Sequence, residues 1–166
     1  MMRWAVVGSN GMFGKELVEM LLARGEEVLS LNRDNFDLEK SVDDLSTALT
    51  GKDAVVNAVA YTAVDKAESE LFEASTVNGI YAGKLAQAAA MASARFFHIS
   101  TDYVFDGMSK NPYKISDQTN PQTVYGESKF VGEELVRDSG ADFTIFRTAW
   151  LYGQHGRCFL KLSPVF

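Results

Sequence analysis

The sequence contains little cysteine, histidine and basic charge, and each shortage excludes a class of protein. Cys158 is the single cysteine, which excludes an internal disulfide framework, and together with the two histidines it forms no zinc-ligand spacing. The formal net charge of -6 opposes general binding to nucleic acid or to a membrane surface, because both favour a basic face. A reducing, cytoplasmic compartment fits a chain with so little cysteine.

Long hydrophobic runs are also missing. No run approaches the roughly 18 apolar residues of a membrane span, and the apolar run at residues 4–7 is too short for a signal-peptide core. With 166 residues, of which 46% are apolar, the chain can bury one core. We therefore predict a single domain over residues 1–166, with neither a membrane nor a nucleic acid as its partner.

Short apolar runs alternate with segments of helical spacing along the chain. Strands are predicted over residues 4–7, 27–31, 54–58, 95–99 and 142–147, and helices over residues 12–24, 71–94 and 125–139. This alternation predicts an α/β fold, a doubly wound and mostly parallel sheet that helices cover on both faces. Residues 101–124 hold two of the three prolines and many small polar residues, so we expect irregular chain over a site.

A glycine-rich turn follows the first predicted strand and opens the first predicted helix. Its sequence is Gly8-Ser9-Asn10-Gly11-Met12-Phe13-Gly14. Such a turn directs backbone amides and the positive end of a helix at a pyrophosphate, which glycines allow to approach the backbone. Asn10 stands where the commoner dinucleotide fingerprint has its second glycine. The turn therefore predicts a dinucleotide site, and a tight turn without a ligand is the alternative.

The end of the second predicted strand discriminates between nicotinamide cofactors. The sequence Leu31-Asn32-Arg33 offers no acidic residue to a ribose diol, whereas Arg33 can pair with a 2′-phosphate. This favours NADPH over NADH, and an ordinary surface arginine is the alternative. Asp37 lies where its carboxylate can accept a hydrogen bond from the adenine amine, and a solvated loop acid is the alternative there.

Tyr125 and Lys129 stand four residues apart in a predicted helix, so both side chains can point into one pocket. We expect the ammonium to bring the pKa of the phenol closer to neutral pH, which suits Tyr125 as the proton donor in carbonyl reduction. Thr101 follows a predicted strand, and its hydroxyl can steady the same oxygen. An exposed helical pair is the alternative for Tyr125 and Lys129. His98 is predicted to be a core residue and His155 a loop residue.

These features resemble the extended short-chain dehydrogenase/reductases, and within that family the group that reduces dTDP-4-dehydrorhamnose. Beyond the glycine turn, the resemblance is carried by residues 57–68, 100–107, 125–129 and 146–153, and it spans nearly the whole chain. It implies a Rossmann fold and an NADPH- or NADH-dependent oxidoreductase. The implied reaction reduces the 4-keto group of dTDP-4-dehydro-L-rhamnose to dTDP-L-rhamnose, for polysaccharide biosynthesis.

The resemblance also implies roles for particular residues. Tyr125 is the implied proton donor and Lys129 contacts the nicotinamide ribose, while Thr101 and Asp102 contact the substrate and Trp150 faces it. The implied cofactor contacts are Gly11, Met12, Phe13, Asn32, Asp37, Leu38, Ala60, Tyr61 and Thr62.

Members of this family have a C-terminal part that closes over the sugar nucleotide, and this sequence stops before it. We therefore expect the C-terminal substrate part to be missing or truncated, with residues 1–166 forming the NAD(P)-binding part. The acidic residues that bind magnesium in some relatives belong to the absent part, so no metal is assigned. A homodimer is an open expectation.

Two other functions stay open. An epimerase or dehydratase acting on another nucleotide sugar would keep the fold, although the loop at residues 100–107 disfavours it. A non-catalytic regulatory subunit, like the beta subunit of methionine adenosyltransferase, would bind NADP without turnover. The intact set of Thr101, Tyr125 and Lys129 favours an enzyme.

Overall fold

The computed structural model describes residues 1–155, so the predictions that concern Cys158 and the tail that follows it lie outside the described residues. The strands are β1 (Arg3–Val7), β2 (Glu27–Leu31), β3 (Ala54–Asn57), β4 (Arg95–Thr101) and β5 (Phe143–Thr148). The α-helices are α1 (Met12–Ala23), α2 (Val42–Leu49), α3 (Val64–Ala67), α4 (Leu71–Ser75), α5 (Tyr81–Met91) and α6 (Val124–Arg137). A π-helical segment, Thr76–Ile80, joins α4 to α5, and a single 3-10 turn, Asp102–Val104, follows β4.

The five strands form one parallel sheet in the order β2-β1-β3-β4-β5. The prediction of an α/β fold with a parallel sheet is confirmed. The chain reverses its direction of winding between β1 and β3, which are neighbours in the sheet. Ligands of open parallel sheets bind at the carboxyl ends of the strands beside such a switch point. The topology therefore places the candidate site next to the ends of β1 and β3.

One face of the sheet packs under α2, α5 and α6. Leu45 of α2, Leu85 of α5 and Val136 of α6 join the core that includes Val55 and Phe96 from the sheet. Small residues along α5, such as Ala82 and Ala86, are fully buried. Their short side chains let this helix lie close to the sheet.

Helices lie on both faces as predicted, but the opposite face is only partly covered. There α1 packs over β1 and β2. Over β4 and β5, Phe97 and Phe146 stack with ring centroids 6.2 Å apart, and Phe146 stays 46% exposed. Within residues 1–155, α1 is the helix that packs on this face, since α2, α5 and α6 occupy the other.

The predicted helix over residues 71–94 is present as one helical run, although it is not α-helical throughout. The π-helical segment separates α4 from α5, and the last turn ends at Met91. The interruption coincides with Asn78, which is 1% exposed. Its side-chain amide donates to the Tyr61 carbonyl at 3.1 Å and to Ser128 Oγ at 2.9 Å, and its carbonyl accepts from the Tyr61 amide at 2.9 Å. The wider turn thus lets one buried amide bond to two other segments, and π-bulges of this kind are frequent at functional sites.

Helices α2 and α3 were not anticipated from the sequence. In α2, Leu45 and Leu49 face the core, and the Ser41 hydroxyl caps the helix by accepting from the Asp44 amide at 3.2 Å. This helix supplies the crossover that a parallel connection from β2 to β3 requires. Among the helices of residues 1–155, none combines the length and the apolar character needed to cross a membrane.

Candidate cofactor and catalytic site

A cavity lies at the carboxyl ends of β1, β2 and β3, where the topology predicts a ligand. It has a volume of about 770 Å³. Its walls come from the glycine turn, the end of β2, the segment after β3, and the start of the π-helical segment. The residues predicted to contact a cofactor that line it are Gly8, Gly11, Asn32, Arg33, Asp37, Leu38 and Ala60.

The glycine turn is shaped by two close backbone approaches. Gly8 has a φ of +89°, and a Cβ there would lie 2.8 Å from the carbonyl carbon of Ala58. A Cβ on Gly14 would lie 2.2 Å from the carbonyl oxygen of Gly8. The turn is fastened to β2 because the amides of Gly8 and Ser9 both donate to the Leu31 carbonyl, at 2.8 and 3.0 Å. Only glycine fits at these two positions, so the backbone itself forms the wall of the cavity.

The donors of this turn suit a phosphate group. The Ser9 hydroxyl is buried and has no hydrogen-bond partner among the described residues. Helix α1 begins at Met12 with Gly11 as its N-cap, so its first-turn amides lack intrahelical acceptors and carry the positive end of the helix dipole. An anion placed at this turn would satisfy the amides at the start of α1. The residues present therefore fit the pyrophosphate of a dinucleotide.

The end of β2 continues the cavity wall with polar groups. The Asn32 side chain accepts from the Asp34 amide at 2.8 Å, and Asp37 accepts from the Glu39 amide at 2.9 Å. Arg33 lines the cavity, is exposed, and makes no ion pair within residues 1–155. Lys84 on α5 donates to the carbonyl of Leu38 at 2.8 Å, which holds this loop against the helix.

Seven predicted cofactor contacts lie outside the walls of this cavity: Gly14 within the turn, Tyr125 and Lys129 on α6, and four further residues. Met12 and Phe13 line a second cavity of about 420 Å³, between the start of α1 and residues 151–154. Tyr61 turns its hydroxyl to Glu70, and the pKa of this phenol is raised to about 12 by that hydrogen bond, burial and the nearby carboxylates. Thr62 is exposed. The structure therefore brings together the turn, the end of β2 and Ala60, but not these four.

Thr101 and Tyr125 meet at the carboxyl end of β4. Thr101 ends β4 and is 5% exposed, and its hydroxyl lies close enough to the Tyr125 phenol to influence the pKa of that group. Tyr125 lies in the first turn of α6, where the Thr123 hydroxyl caps the helix by accepting from the Gly126 amide at 3.0 Å. The ring of Tyr103 packs edge-on against Tyr125 at 5.6 Å. A hydroxyl and a phenol therefore converge at one point of the sheet edge.

Lys129 lies one turn further along α6 and is 1% exposed. Its Nζ donates to the Ile99 carbonyl of β4 at 2.6 Å. Asn57 pairs with His98 across β3 and β4, so Ile99 stands next to Ala58, which lines the large cavity. The Lys129 ammonium therefore bonds to the strand that runs beside one wall of this cavity.

The expectation that Lys129 lowers the pKa of Tyr125 is wrong. Burial is the largest influence and raises the pKa of the phenol, and Asp102 adds to it, while the hydrogen bond with Thr101 opposes both. Burial also lowers the pKa of Lys129 itself to about 8. Tyr125 is therefore a neutral phenol near pH 7, which is the form that donates a proton.

The residues expected on the substrate side lie near this point but are more exposed. Asp102 accepts from the Thr101 hydroxyl at 3.1 Å. Trp150 follows β5 with a φ of +54° and is 75% exposed. A cavity of about 290 Å³ runs from Asp102 and Tyr103 to Thr123. These side chains form an open surface beside Thr101 and Tyr125.

Several residues of this region escaped the sequence analysis. Ser9 is hidden inside the glycine motif, and no spacing reveals Asn78. Glu133 continues the four-residue spacing of Tyr125 and Lys129 along α6, a signal that was present in the sequence. Among residues 1–155, no group of three His, Cys, Asp or Glu side chains could hold a metal ion.

His98 lies in the core, as predicted. It is 0% exposed, and its Nδ1 faces the Asn57 side-chain amide at 3.1 Å. Burial, together with the charge of Lys129, lowers its pKa well below the usual value, so it is neutral. His155 is a loop residue, also as predicted, and its Nε2 lies 2.9 Å from a carboxylate oxygen of Glu19.

Known proteins resemble this chain in both sequence and structure. The dTDP-4-dehydrorhamnose reductase of Sinorhizobium fredii is 45% identical over 162 residues, which cover 96% of this chain and 54% of that protein. The spore coat polysaccharide biosynthesis protein SpsK of Bacillus subtilis is 41% identical, with 94% of this chain and 56% of that protein covered. The chain thus spans about half the length of these relatives.

A solved structure supports the same relationship. The dTDP-4-dehydrorhamnose reductase of Bacillus anthracis, in complex with NADP, superposes with a TM-score of 0.91 at 32% identity, over 96% of this chain and 57% of that one. The family described as RmlD substrate binding domain matches residues 2–163. Because this match covers nearly the whole sequence, the chain belongs to the RmlD substrate-binding domain family.

Proposed function

We propose that this chain is the cofactor-binding and catalytic part of a sugar-nucleotide reductase, which reduces the 4-keto group of dTDP-4-dehydro-L-rhamnose to dTDP-L-rhamnose with NADPH or NADH. The convergence of Thr101, Tyr125 and Lys129 beside the cavity of the glycine turn carries the proposal. The relatives named dTDP-4-dehydrorhamnose reductase support this choice of substrate.

Each residue of the site has its own role in the proposed reduction. When bound, a nicotinamide cofactor would supply a hydride to the carbonyl carbon. As negative charge grows on the carbonyl oxygen, the Thr101 hydroxyl steadies it and Tyr125 transfers its phenolic proton to it, giving the alcohol. The phenolate that remains takes its next proton from solvent. The ammonium of Lys129 would contact the cofactor ribose, while Asp102 and Trp150 would contact the sugar.

The cofactor is held by the backbone of the glycine turn and by the end of β2. Gly8, Gly11 and Gly14, with the amides of Met12 and Phe13, would hold the pyrophosphate, and Asn32 and Arg33 would hold the adenosine ribose. The loop at Asp37 and Leu38 receives the adenine. Ala60, Tyr61 and Thr62 lie on the segment that follows β3 and would contact the part of the cofactor beyond the pyrophosphate.

Arg33→Ala tests whether Arg33 binds the 2′-phosphate. We expect the Kd for NADPH to rise about tenfold, since hydrogen bonds to charged groups contribute about 1.5–3 kcal/mol, while the Kd for NADH stays unchanged. Fluorescence titration of both cofactors measures the ratio. Arg24→Ala, an exposed arginine that does not line the cavity, is the matched control. An unchanged ratio in Arg33→Ala would remove Arg33 from cofactor discrimination.

The activity is tested by mixing the protein with NADPH and dTDP-4-dehydro-L-rhamnose and following NADPH absorbance and dTDP-L-rhamnose formation. Oxidation of NADPH that depends on this substrate supports the reductase. Tight NADPH binding without any turnover would point to a regulatory subunit instead. If the protein reduces another nucleotide sugar but not dTDP-4-dehydro-L-rhamnose, the proposed substrate is wrong.

The proposal includes one domain over residues 1–166, a cytoplasmic location and a homodimer. Apolar side chains exposed on one side of the π-helical segment and α6, namely Ile80, Val131 and Leu135, support an interface between two copies. Analytical ultracentrifugation tests it: a mass of two chains is expected, and a monomer at every concentration would contradict the dimer.

A further inference from the structure

Beneath the catalytic face of α6 lies a carboxylate that the reaction itself does not use. Glu133 follows Lys129 by one further turn of the helix, so Tyr125, Lys129 and Glu133 share one face of α6. The Glu133 side chain is 0% exposed. An ionised carboxylate at such depth is stable only when cations and hydrogen-bond donors compensate for the lost water.

Three side chains provide that compensation. Ser100 Oγ donates to Glu133 at 2.7 Å, and Arg147 donates twice, from Nε at 2.9 Å and from Nη2 at 2.7 Å. Arg137 Nη2 donates at 2.9 Å. Burial raises the pKa of Glu133, but the hydrogen bonds from Arg147, Ser100 and Arg137 outweigh it and lower the pKa below its usual value. The carboxylate is therefore charged at neutral pH.

These bonds fasten α6 to the ends of two strands. Ser100 immediately precedes Thr101 on β4, and Arg147 lies opposite Ser100 on β5. The Thr148 hydroxyl donates to the Ser100 carbonyl at 3.1 Å, which joins the same two strands once more. Glu133 therefore fixes the distance between the helix that carries Tyr125 and the strand that carries Thr101.

Glu133 is also the anion whose charge favours the ammonium form of Lys129. The Lys129 ammonium faces the Ile99 carbonyl and the neutral His98 from β4, and it shares its helix face with the neutral phenol of Tyr125 and with Glu133. Burial lowers the pKa of Lys129, and Glu133 acts in the opposite direction. Within residues 1–155, no other charged group opposes the effect of burial on this lysine to a comparable extent.

We propose that Glu133 is a positioning residue of the reductase centre, which holds α6 against β4 and β5 and keeps Lys129 in its ammonium form. The consequence for turnover rests on the proposed function, because the charge of Lys129 matters there only when a cofactor and a keto sugar are bound. The effect of Glu133 on the protonation of Lys129 does not rest on the proposed function, and it can be measured in the free protein.

The experiment compares Glu133→Gln with Glu134→Gln, the same change at the next residue. Glu134 also bonds to Arg137, but its side chain is 53% exposed. NMR of protein with isotope-labelled lysine follows the Lys129 side chain during a pH titration, with Lys129→Arg identifying its signal. We expect midpoints near 8 in the wild type and in Glu134→Gln, and a midpoint lower by about one pH unit in Glu133→Gln. An unchanged midpoint in folded Glu133→Gln would overturn the proposal.

A second variant covers the case in which Glu133→Gln does not fold. Arg137→Gln keeps the carboxylate and its bonds to Arg147, but removes one cation that neutralises it. The midpoint of the Lys129 pH titration should then move to higher pH. A midpoint that is unchanged or lower would contradict the claim that Glu133 keeps Lys129 in its ammonium form.

Turnover supplies an independent comparison. In the NADPH assay the alkaline fall of activity should move to lower pH in Glu133→Gln by the shift that NMR records, whereas a purely structural role would lower the rate equally at every pH. If the wild type turns over no substrate, the proposed function fails, while the NMR titration still decides the role of Glu133.

Discussion

Tyr125→Phe should retain NADPH binding within about twofold and lose reduction by a factor of about 10² or more, since general acid catalysis contributes that much. The substitution removes one hydroxyl from a half-buried ring and leaves its edge-on contact with Tyr103 in place. Because the phenol is neutral at physiological pH, the lost group is the proton donor itself. Steady-state NADPH oxidation gives the rate, and a fluorescence titration gives the affinity.

Tyr103→Phe is the matched control for this loss. Its ring packs against Tyr125 but is 44% exposed, and its hydroxyl has no part in the proposed proton transfer. We expect its rate to stay within a few-fold of the wild type. Equal turnover by Tyr125→Phe and the wild type would remove Tyr125 from the mechanism, and equal losses in both variants would indicate a packing effect.

The second large effect is expected for Gly14→Ala. Its new methyl group would lie 2.2 Å from the backbone oxygen of Gly8, a contact that requires the glycine turn to move. Alanine gains about 1 kcal/mol in a helix relative to glycine, but forcing a side chain into a packed site costs about 1–3 kcal/mol or more. We therefore expect a net loss of stability and a rise of at least a hundredfold in the Kd for NADPH.

Gly11→Ala tests the same turn at a roomier position. A Cβ there would lie 3.3 Å from the same Gly8 oxygen, and Gly11 already has a φ of -70°. Urea denaturation should show little change for Gly11→Ala and a clear decrease in the unfolding free energy for Gly14→Ala. If Gly14→Ala binds NADPH like the wild type, the close approach of α1 to the turn is not what shapes the cradle.

Periodicity in the sequence predicted the elements that are long or strongly patterned. All five strands appear within two residues of their predicted limits, and α1 and α6 lie within two residues of theirs. In a parallel sheet the strand ends then determine where a ligand binds, so the glycine turn and Thr101 could be assigned to one edge from sequence alone.

Features that depend on contacts between distant residues could not be predicted in this way. The π-helical segment at Asn78 exists because one amide bonds to Tyr61 and Ser128, and neither contact is encoded in local propensity. The pKa of Tyr125 likewise depends on burial by neighbouring segments, which helical spacing does not report. The four-residue spacing that identified Tyr125 and Lys129 would also have reached Glu133, but a glutamate in a helix is usually exposed.

The central claim is that the glycine turn, the end of β2 and the face of α6 together form a nicotinamide cofactor site. Calorimetric titration of the 166-residue chain with NADPH tests it most directly, because binding needs all three to be assembled. We predict one site per chain with a Kd on the order of micromolar, a range common for reversible ligands. If neither NADPH nor NADH gives a heat of binding at millimolar concentration, the claim is contradicted.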